Sequence, residues 1–445
     1  MNLSNKLAKY ISKTKYDDLP QDVVEFTKLC VLDYFSSAIA GSYKDPINKF
    51  EEVIYQLGGD QHATLMTGGK ATVTQAAFLN GGAGHVVEQD DIHRSSIIHA
   101  GTVVIPAALA VSEWKKLSGK DFITAIVVGY EVCYRIGEAV SPSHYYYWHN
   151  TSTCGTFGAA AAVAKLLQLN EQQIVYTLGS AGTQAAGLWE FIEDGAMSKQ
   201  LHTGKSALNG VLSALLSEKN LTSAEKILEG DRGFFKAMSN EYVGTNITHN
   251  LGDQYKILEN SFKIHASCRH THHAMDLMIE LIQDEEIDTD EVSSITVKTY
   301  QVAIDITDNN EPTTQYESKF SLQFCTALAF IKGEGGVDAF SEETLWNCEI
   351  RRLMKKINVT VDPNIEYQYP EKWGAIVEIK KESGQTITME TEYPRGDPEN
   401  PILKKELISK FHLLANDWSK SERKSMVDII FHLEKVKTMN EIFMI

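Results

Sequence analysis

Residues 81–99 hold three acids (Glu88, Asp90, Asp91), three histidines (His85, His93, His99) and Arg94. Carboxylates and imidazoles this close together can supply a general acid, a general base and an anion contact from one segment. The same stretch can equally be a metal-free polar turn whose histidines are hydrogen-bonded within the core. A second group, Lys199 and His202, is spaced three apart on a predicted helix and so shares one face. Beside Asp194-Gly195 it makes a cationic helix start suited to a carboxylate, or simply a solvated face. His149 lies among aromatics in Tyr145-Tyr146-Tyr147-Trp148, which would desolvate it and favour a neutral base. A core histidine bonded to backbone is the plainer alternative.

A further dense run is Lys263-Ile264-His265-Ala266-Ser267-Cys268-Arg269-His270-Thr271-His272-His273. Its spacing matches no standard zinc site, and Cys268 with a histidine base would be a nucleophile only if the fold brought them together. There is no GxGxxG, GxxxxGK[ST] or GxSxG, so nucleotide binding and serine hydrolysis lose their usual support.

The elements that position these residues come from a chain of 445 residues, enough for two or so domains. A hydrophobic content of 43% and a charged content of 23% are those of a soluble globular protein. A net charge of -17 argues against a nucleic-acid partner and leaves any anionic substrate dependent on a local basic pocket. The six cysteines form no CxxC pair and fit a reducing, cytoplasmic compartment. The first residues lack the apolar core of a signal peptide, and no apolar run is long enough to span a membrane.

Periodicity predicts helices from Pro20 through Ala40, stopped by Gly41, and from Thr72 to Leu79, followed by a Gly-rich loop. More are predicted from Pro106 to Leu117, Asp121 to Val140, Thr156 to Leu167, Glu171 to Leu188 and Met197 to Leu216. Up to Met238 strand signal is almost absent. Beyond about Tyr255 the pattern mixes: a helix over 271–282, strands over 292–300 and 357–361, and a hairpin of 374–379 and 385–391 across Glu382-Ser383-Gly384. Helices over 402–415 and 421–433 close the chain. The fold class is therefore mainly α, with a large all-helical domain (1–255, completed by 402–445) and a smaller α+β domain (256–401).

Asn80-Gly81 through Asp90-Asp91 resembles the Asn-Gly-x-x-x-His-x-x-(Asp/Glu)-x-Asp-Asp signature of the MmgE/PrpD family. Gln184-Ala185-Ala186-Gly187-Leu188 followed by Asp194-Gly195-x-Met197-x-Lys199-x-Leu201-His202-x-Gly204 is similar to that family's longest shared block. Gly129-Tyr130-Glu131, Lys263 with Ser267-Cys268-Arg269, Lys319-Phe320-Ser321 and Pro394-x-Gly396-x-Pro398-x-Asn400-Pro401 are similar in the same order. The resemblance implies a cofactor-free fold of a helical domain with an α+β lid, usually a homodimer. Reactions in the family include 2-methylcitrate dehydration, cis-aconitate decarboxylation and iminodisuccinate epimerisation, each moving a proton at a carbon beside carboxylates.

By resemblance to the decarboxylase branch, the matching positions are Glu88 (an Asp there), His99, His149, Lys199 and Lys263. The chain departs from that branch at Ile92 (a threonine there), by one extra residue between Asp91 and His99, at Cys268 (a further active-site histidine) and at Phe324 (a tyrosine). The resulting expectation is a lyase with no metal or cofactor, acting on a small di- or tricarboxylate. His99 and His149 would move the proton, with Glu88, Asp90 and Asp91 orienting the histidines. Lys199, His202, Lys263 and Arg94 would hold carboxylates, with Cys268 and Phe324 lining the substrate. An epimerase of the same family, a non-catalytic carboxylate-binding homologue and a metallohydrolase using His85, Asp91, His93 and His99 are the alternatives.

Overall fold

A computed structural model describes residues 2–284 and 287–444. The fold is mainly α, with nineteen α-helices among the described residues. The chain forms two compact units. The larger comprises the residues up to Val86, Asp90–Asn260 and those from Leu403 on; the smaller comprises Val87–Gln89 and Ser261–Ile402. The boundaries therefore fall at 260/261 and 402/403 rather than 255/256 and 401/402, and a three-residue piece at 87–89 belongs to the smaller unit.

In the larger unit, helix Val73–His85 packs on Ser198–Glu218 and on Gly101–Lys115, while Asn150–Leu166 packs on Gly119–Val140 and Ser198–Glu218. These are alanine- and glycine-rich faces, so backbones approach closely. The predicted loop at Gly81 is a correction. Thr72 caps the helix with Gln75 completing a capping box, and the helix runs on through Gly81-Gly82-Ala83-Gly84 to His85. Glycine is a poor helix former, yet packing overrides propensity here. A Cβ at Gly81 would lie 3.1 Å from the Thr102 carbonyl oxygen and 3.2 Å from Gly204 Cα. Gly41 does not stop its helix, which spans Gln21–Ser42; a Cβ there would lie 2.0 Å from the Ala83 carbonyl oxygen. Helix Gly101–Lys115 starts five residues before Pro106, which sits inside it. Helix Asn150–Leu166 likewise begins six residues earlier than periodicity predicts, and Glu171–Gln184 ends four residues sooner. The unit is not wholly helical: Ala63–Thr64 and Lys70–Ala71 form a short antiparallel ladder. No described helix is long and apolar enough to cross a membrane.

The smaller unit is a four-stranded sheet ordered Ile357–Val361, Val292–Thr299, Ala375–Lys381, Thr386–Thr391. Ile295 lies opposite Ile357 in a parallel pair, and Val297 opposite Val377 in an antiparallel one. The hairpin turns through Gly384, whose φ of +88° suits glycine. Ala375, Val377 and Ile379 alternate inward, as period-2 burial requires. They share a core with Met275, Met278 and Leu281 of helix Arg269–Asp284 and with Leu322, Phe324 and Leu328 of helix Leu322–Lys332.

Candidate active site

Four imidazoles meet inside the larger unit. His85 ends helix Val73–His85, His99 directly precedes the turn into helix Gly101–Lys115, His149 is the N-cap residue of helix Asn150–Leu166, and His202 lies in the second turn of Ser198–Glu218. The His85 ring touches His99 edge-on at 4.8 Å between centroids and stacks on His149 at 5.8 Å. His149 in turn meets His202 at 5.5 Å, with their Nδ1 atoms 3.3 Å apart. Trp189 packs on His149 at 5.0 Å and Phe191 on His202 at 5.4 Å, giving the cluster an aromatic wall. All four histidines are buried.

Asp90 organises one end of the cluster. Its Oδ2 is 2.7 Å from His85 Nδ1 and 3.2 Å from His99 Nδ1. The Asp91 carbonyl also faces His99 Nδ1, at 2.7 Å. Two acceptors at one ring nitrogen place the proton of the neutral ring there. Burial by itself would raise the Asp90 carboxyl, but the charges of His85 and His99 and their hydrogen bonds hold it well below the usual range. The His99 backbone N–H donates to Thr151 Oγ1 at 3.1 Å, fixing the residue from the neighbouring helix.

The Asp91 carboxylate does a different job from the expected one of orienting a histidine. Its Oδ1 accepts from the Gly101 N–H at 3.0 Å, and Oδ2 accepts from Tyr130 Oη at 2.7 Å and Asn260 Nδ2 at 2.8 Å. It thereby ties the start of helix Gly101–Lys115 to two other elements. A Cβ at Gly101 would lie 2.8 Å from Asp91 Oδ1, so glycine is needed for the approach. Burial, with the Asp33 charge next in importance, pushes the Asp91 carboxyl up to about 7.

At the other end of the cluster the groups are kept neutral. Burial, followed by the charges of His202 and Lys199, holds His149 well below its ordinary value. Burial and the Lys205, His85 and Lys199 charges push His202 down to about 4. Lys199, buried in the first turn of Ser198–Glu218, supplies the local positive charge. His149 is set by its own N–H donating to the Gly187 carbonyl at 2.9 Å. Gly187 has φ +143°, and a Cβ there would meet Ser152 Cβ at 2.7 Å.

Of the remaining expected residues, Glu88, Lys263, Cys268 and Phe324 belong to the smaller unit and Arg94 to the larger. Glu88 Oε2 lies 3.5 Å from Lys263 Nζ within the smaller unit, both side chains being fully buried. That segment is further held by Lys319 Nζ donating to the Val87 carbonyl and Gln89 Nε2 donating to the Ile264 carbonyl. Glu88 has φ +60°, a left-handed backbone that costs a non-glycine residue about 1 kcal/mol or more. Arg94 is half-buried in the turn whose carbonyl accepts from the Ile97 N–H. Cys268 is buried in the smaller unit, its N–H donating to the Lys319 carbonyl. Phe324 is part of that unit's apolar core and packs on Phe340.

The metal set His85, Asp91, His93 and His99 is not assembled. His93 stacks on Tyr134 at 4.1 Å, with its Nδ1 2.8 Å from Ser96 Oγ and its Nε2 toward Glu259. His85, Asp90 and His99 do bring donor atoms within 4.8 Å of one another. Their 2.7 and 3.2 Å separations, with a carbonyl also on His99 Nδ1, are those of proton-bridged groups. Sequence reasoning left His85 out of the acid–base set, although the Asn-Gly-x-x-x-His signature contains it. It also passed over Tyr130, Asn260 and Trp189, of which only Tyr130 lies in a matching motif.

Two models of one family match the chain: the MmgE/PrpD N-terminal domain over residues 5–243 and the MmgE/PrpD C-terminal domain over residues 265–433. The chain belongs to the MmgE/PrpD family. It is 25% identical to a cis-aconitate decarboxylase-like protein of Aspergillus oryzae, over 96% of this chain and 93% of that protein. A cis-aconitate decarboxylase of Aspergillus terreus is 25% identical over 98% of this chain and 94% of its own length. The human cis-aconitate decarboxylase is 24% identical over 98% and 92%.

Proposed function

We propose that the chain is a lyase that moves a proton at a carbon beside the carboxylates of a small di- or tricarboxylate. The observation that carries this is the His99 ring, with Nδ1 committed to Asp90 and the Asp91 carbonyl, next to a His85–His149–His202 group held in apolar surroundings. An ionised carboxylate beside an imidazole supports the protonated ring that must give up a proton from Nε2. In a decarboxylation the carbon–carboxylate bond breaks and CO2 leaves. The electron pair is delocalised toward a remaining carboxylate, and His99 delivers the proton to carbon. In a dehydration the neutral His149 is suited to take a proton from carbon while His99 protonates the departing hydroxyl. Lys199 would balance the substrate's charge in both cases. The relatives named cis-aconitate decarboxylase support decarboxylation as the first of these to test.

Epimerisation is the second reading. It is favoured by the contrast between a ring beside an ionised carboxylate and a ring kept neutral by burial, the two states a proton-in, proton-out exchange needs. The proposed chemistry uses side chains alone, so treatment with EDTA is expected to leave turnover unchanged; loss with rescue by a divalent ion contradicts it. The chain is further proposed to act as a homodimer, on the family resemblance; a monomer mass by light scattering at micromolar concentration would overturn this. The deciding experiment incubates the purified protein with cis-aconitate, 2-methylcitrate and iminodisuccinate and follows products by NMR. Itaconate-type decarboxylation is expected, and inertness toward all three would refute the reading.

A further inference from the structure

His85 is the buried titratable group that the expected mechanism leaves without a task. It has no measurable exposure, and its Nδ1 is 2.7 Å from the same Asp90 oxygen that lies 3.2 Å from His99 Nδ1. The shorter of the two contacts is therefore the one to His85. Its Nε2 is buried with no hydrogen-bond partner among the described residues. An orphaned buried nitrogen is destabilising, so packing alone would favour an apolar ring at this position. His85 is also the last residue of helix Val73–His85, where the exposed carbonyl end of the helix favours a donor ring.

We propose that His85 is a positioning residue of the acid–base cluster. Its Nδ1–H clamps the Asp90 carboxylate, and the clamped carboxylate holds the proton on His99 Nδ1, so that Nε2 is the atom that exchanges the substrate's proton. This rests on the reading of His99 as the proton-transfer group. The clamp acts through geometry: one carboxylate oxygen serves two imidazoles, so its position is set only when both are present. The charged and titratable groups around it are Asp90, His99, His149, His202 and Lys199, with Asp33 and Asp91 behind the carboxylate.

Two substitutions separate the clamp from the bulk of the ring. His85→Asn places an amide N–H near the position of Nδ1 and can keep the bond to Asp90, whereas His85→Gln places it near Nε2 and cannot. The first readout is the tautomer of His99, from its two ring 15N shifts, assigned by comparison with His99→Ala. The second is the pH profile of kcat and KM. His85→Gln is expected to mix the His99 tautomers, to shift the limb of the kcat profile that reports His99 and to lower kcat about 10- to 100-fold with KM little changed. His85→Asn is expected to restore the wild-type tautomer and most of kcat.

Equal losses in both variants, or an unchanged His99 tautomer in a folded His85→Gln protein, would overturn the proposal. If His85→Gln does not fold, Asp90→Asn removes the other half of the clamp and must mix the tautomers in the same way. The tautomer readout needs no substrate. If the wild-type protein turns over no candidate acid, the functional reading fails while the clamp is still decided.

Discussion

The two histidine-rich regions of this chain look alike as sequence and differ as structure. In residues 263–273 the rings are tied to the scaffold around them. His265 Nε2 is 2.9 Å from Asp276, His270 Nδ1 is 2.7 Å from Tyr300 Oη, His272 Nδ1 is 3.0 Å from Arg269 and His273 Nε2 is 3.2 Å from Thr299 Oγ1. Arg269 is itself paired with Asp397. His270 also stacks on Trp373 at 4.4 Å, a contact that packs the smaller unit. In the larger unit His85, His99, His149 and His202 face one another, and His85 and His99 share one carboxylate. Density of imidazoles is thus a poor sign of chemistry. What separates a site from a support is whether the rings face one another or the scaffold around them.

The contrast can be broken first at His99. Replacing it by Ala should lower kcat by about 10²–10⁴-fold while the melting temperature changes little, as befits loss of a positioned proton-transfer group. Near-normal kcat in the folded variant would move the assignment to His149. Lys199→Ala comes next: loss of a charge contact to the substrate should raise KM roughly 10- to 100-fold, with a smaller effect on kcat. An unchanged KM would make Lys199 a structural cation. His270→Ala should show the opposite pattern. It loses a buried hydrogen bond and a stacked ring, so stability should fall by about 2–4 kcal/mol, with kcat per folded molecule unchanged. A large loss of kcat there would erase the distinction between the two regions.

The smallest expected effect is in pH dependence. Burial pushes His144 and His202 down to about 4 and His273 down to about 3, and holds His149 and His272 lower than usual as well. Each binds a proton more readily once unfolded, so the unfolded chain gains protons over the folded one as pH falls below about 6.5, and stability falls with it. Asp91 and Glu131, both pushed up to about 7 mainly by burial, oppose this, since they hold protons more tightly when folded between about pH 4 and 7. Five histidines against two acids predict a net loss of stability on going from pH 7 to pH 5, read as a lower melting temperature. A higher melting temperature at pH 5 would mean that the buried acids dominate.

Much of this was legible in the sequence because periodicity records packing. Strand Ile357–Val361 falls where it was expected, and the hairpin and the long helix Gly119–Val140 within two residues. The stretch at Gly81–Gly84 was not legible, because its helix is imposed by partners distant in sequence: Thr102 and Gly204 fill the space a side chain would need. Among site residues, the proximity of His149 and His202 to the acid segment could be expected only through family resemblance, since no local spacing links residues 85, 149 and 202. The split between Asp90 and Asp91 was illegible for a related reason. Neighbouring carboxylates point to different elements, and Tyr130 and Asn260 claim the second one. The pairing of Glu88 with Lys263, 175 positions on, was hidden for the same reason.

The most direct test of the account follows hydrogen at the reacting carbon. The purified protein and its His99→Ala variant are incubated in D2O with cis-aconitate, and the product is examined by NMR. The account predicts one deuteron placed at the carbon beside the retained carboxylate in each turnover by the wild-type protein, and turnover at least about 10²-fold slower in the variant. Equal deuterium incorporation at equal rates by both proteins would contradict it.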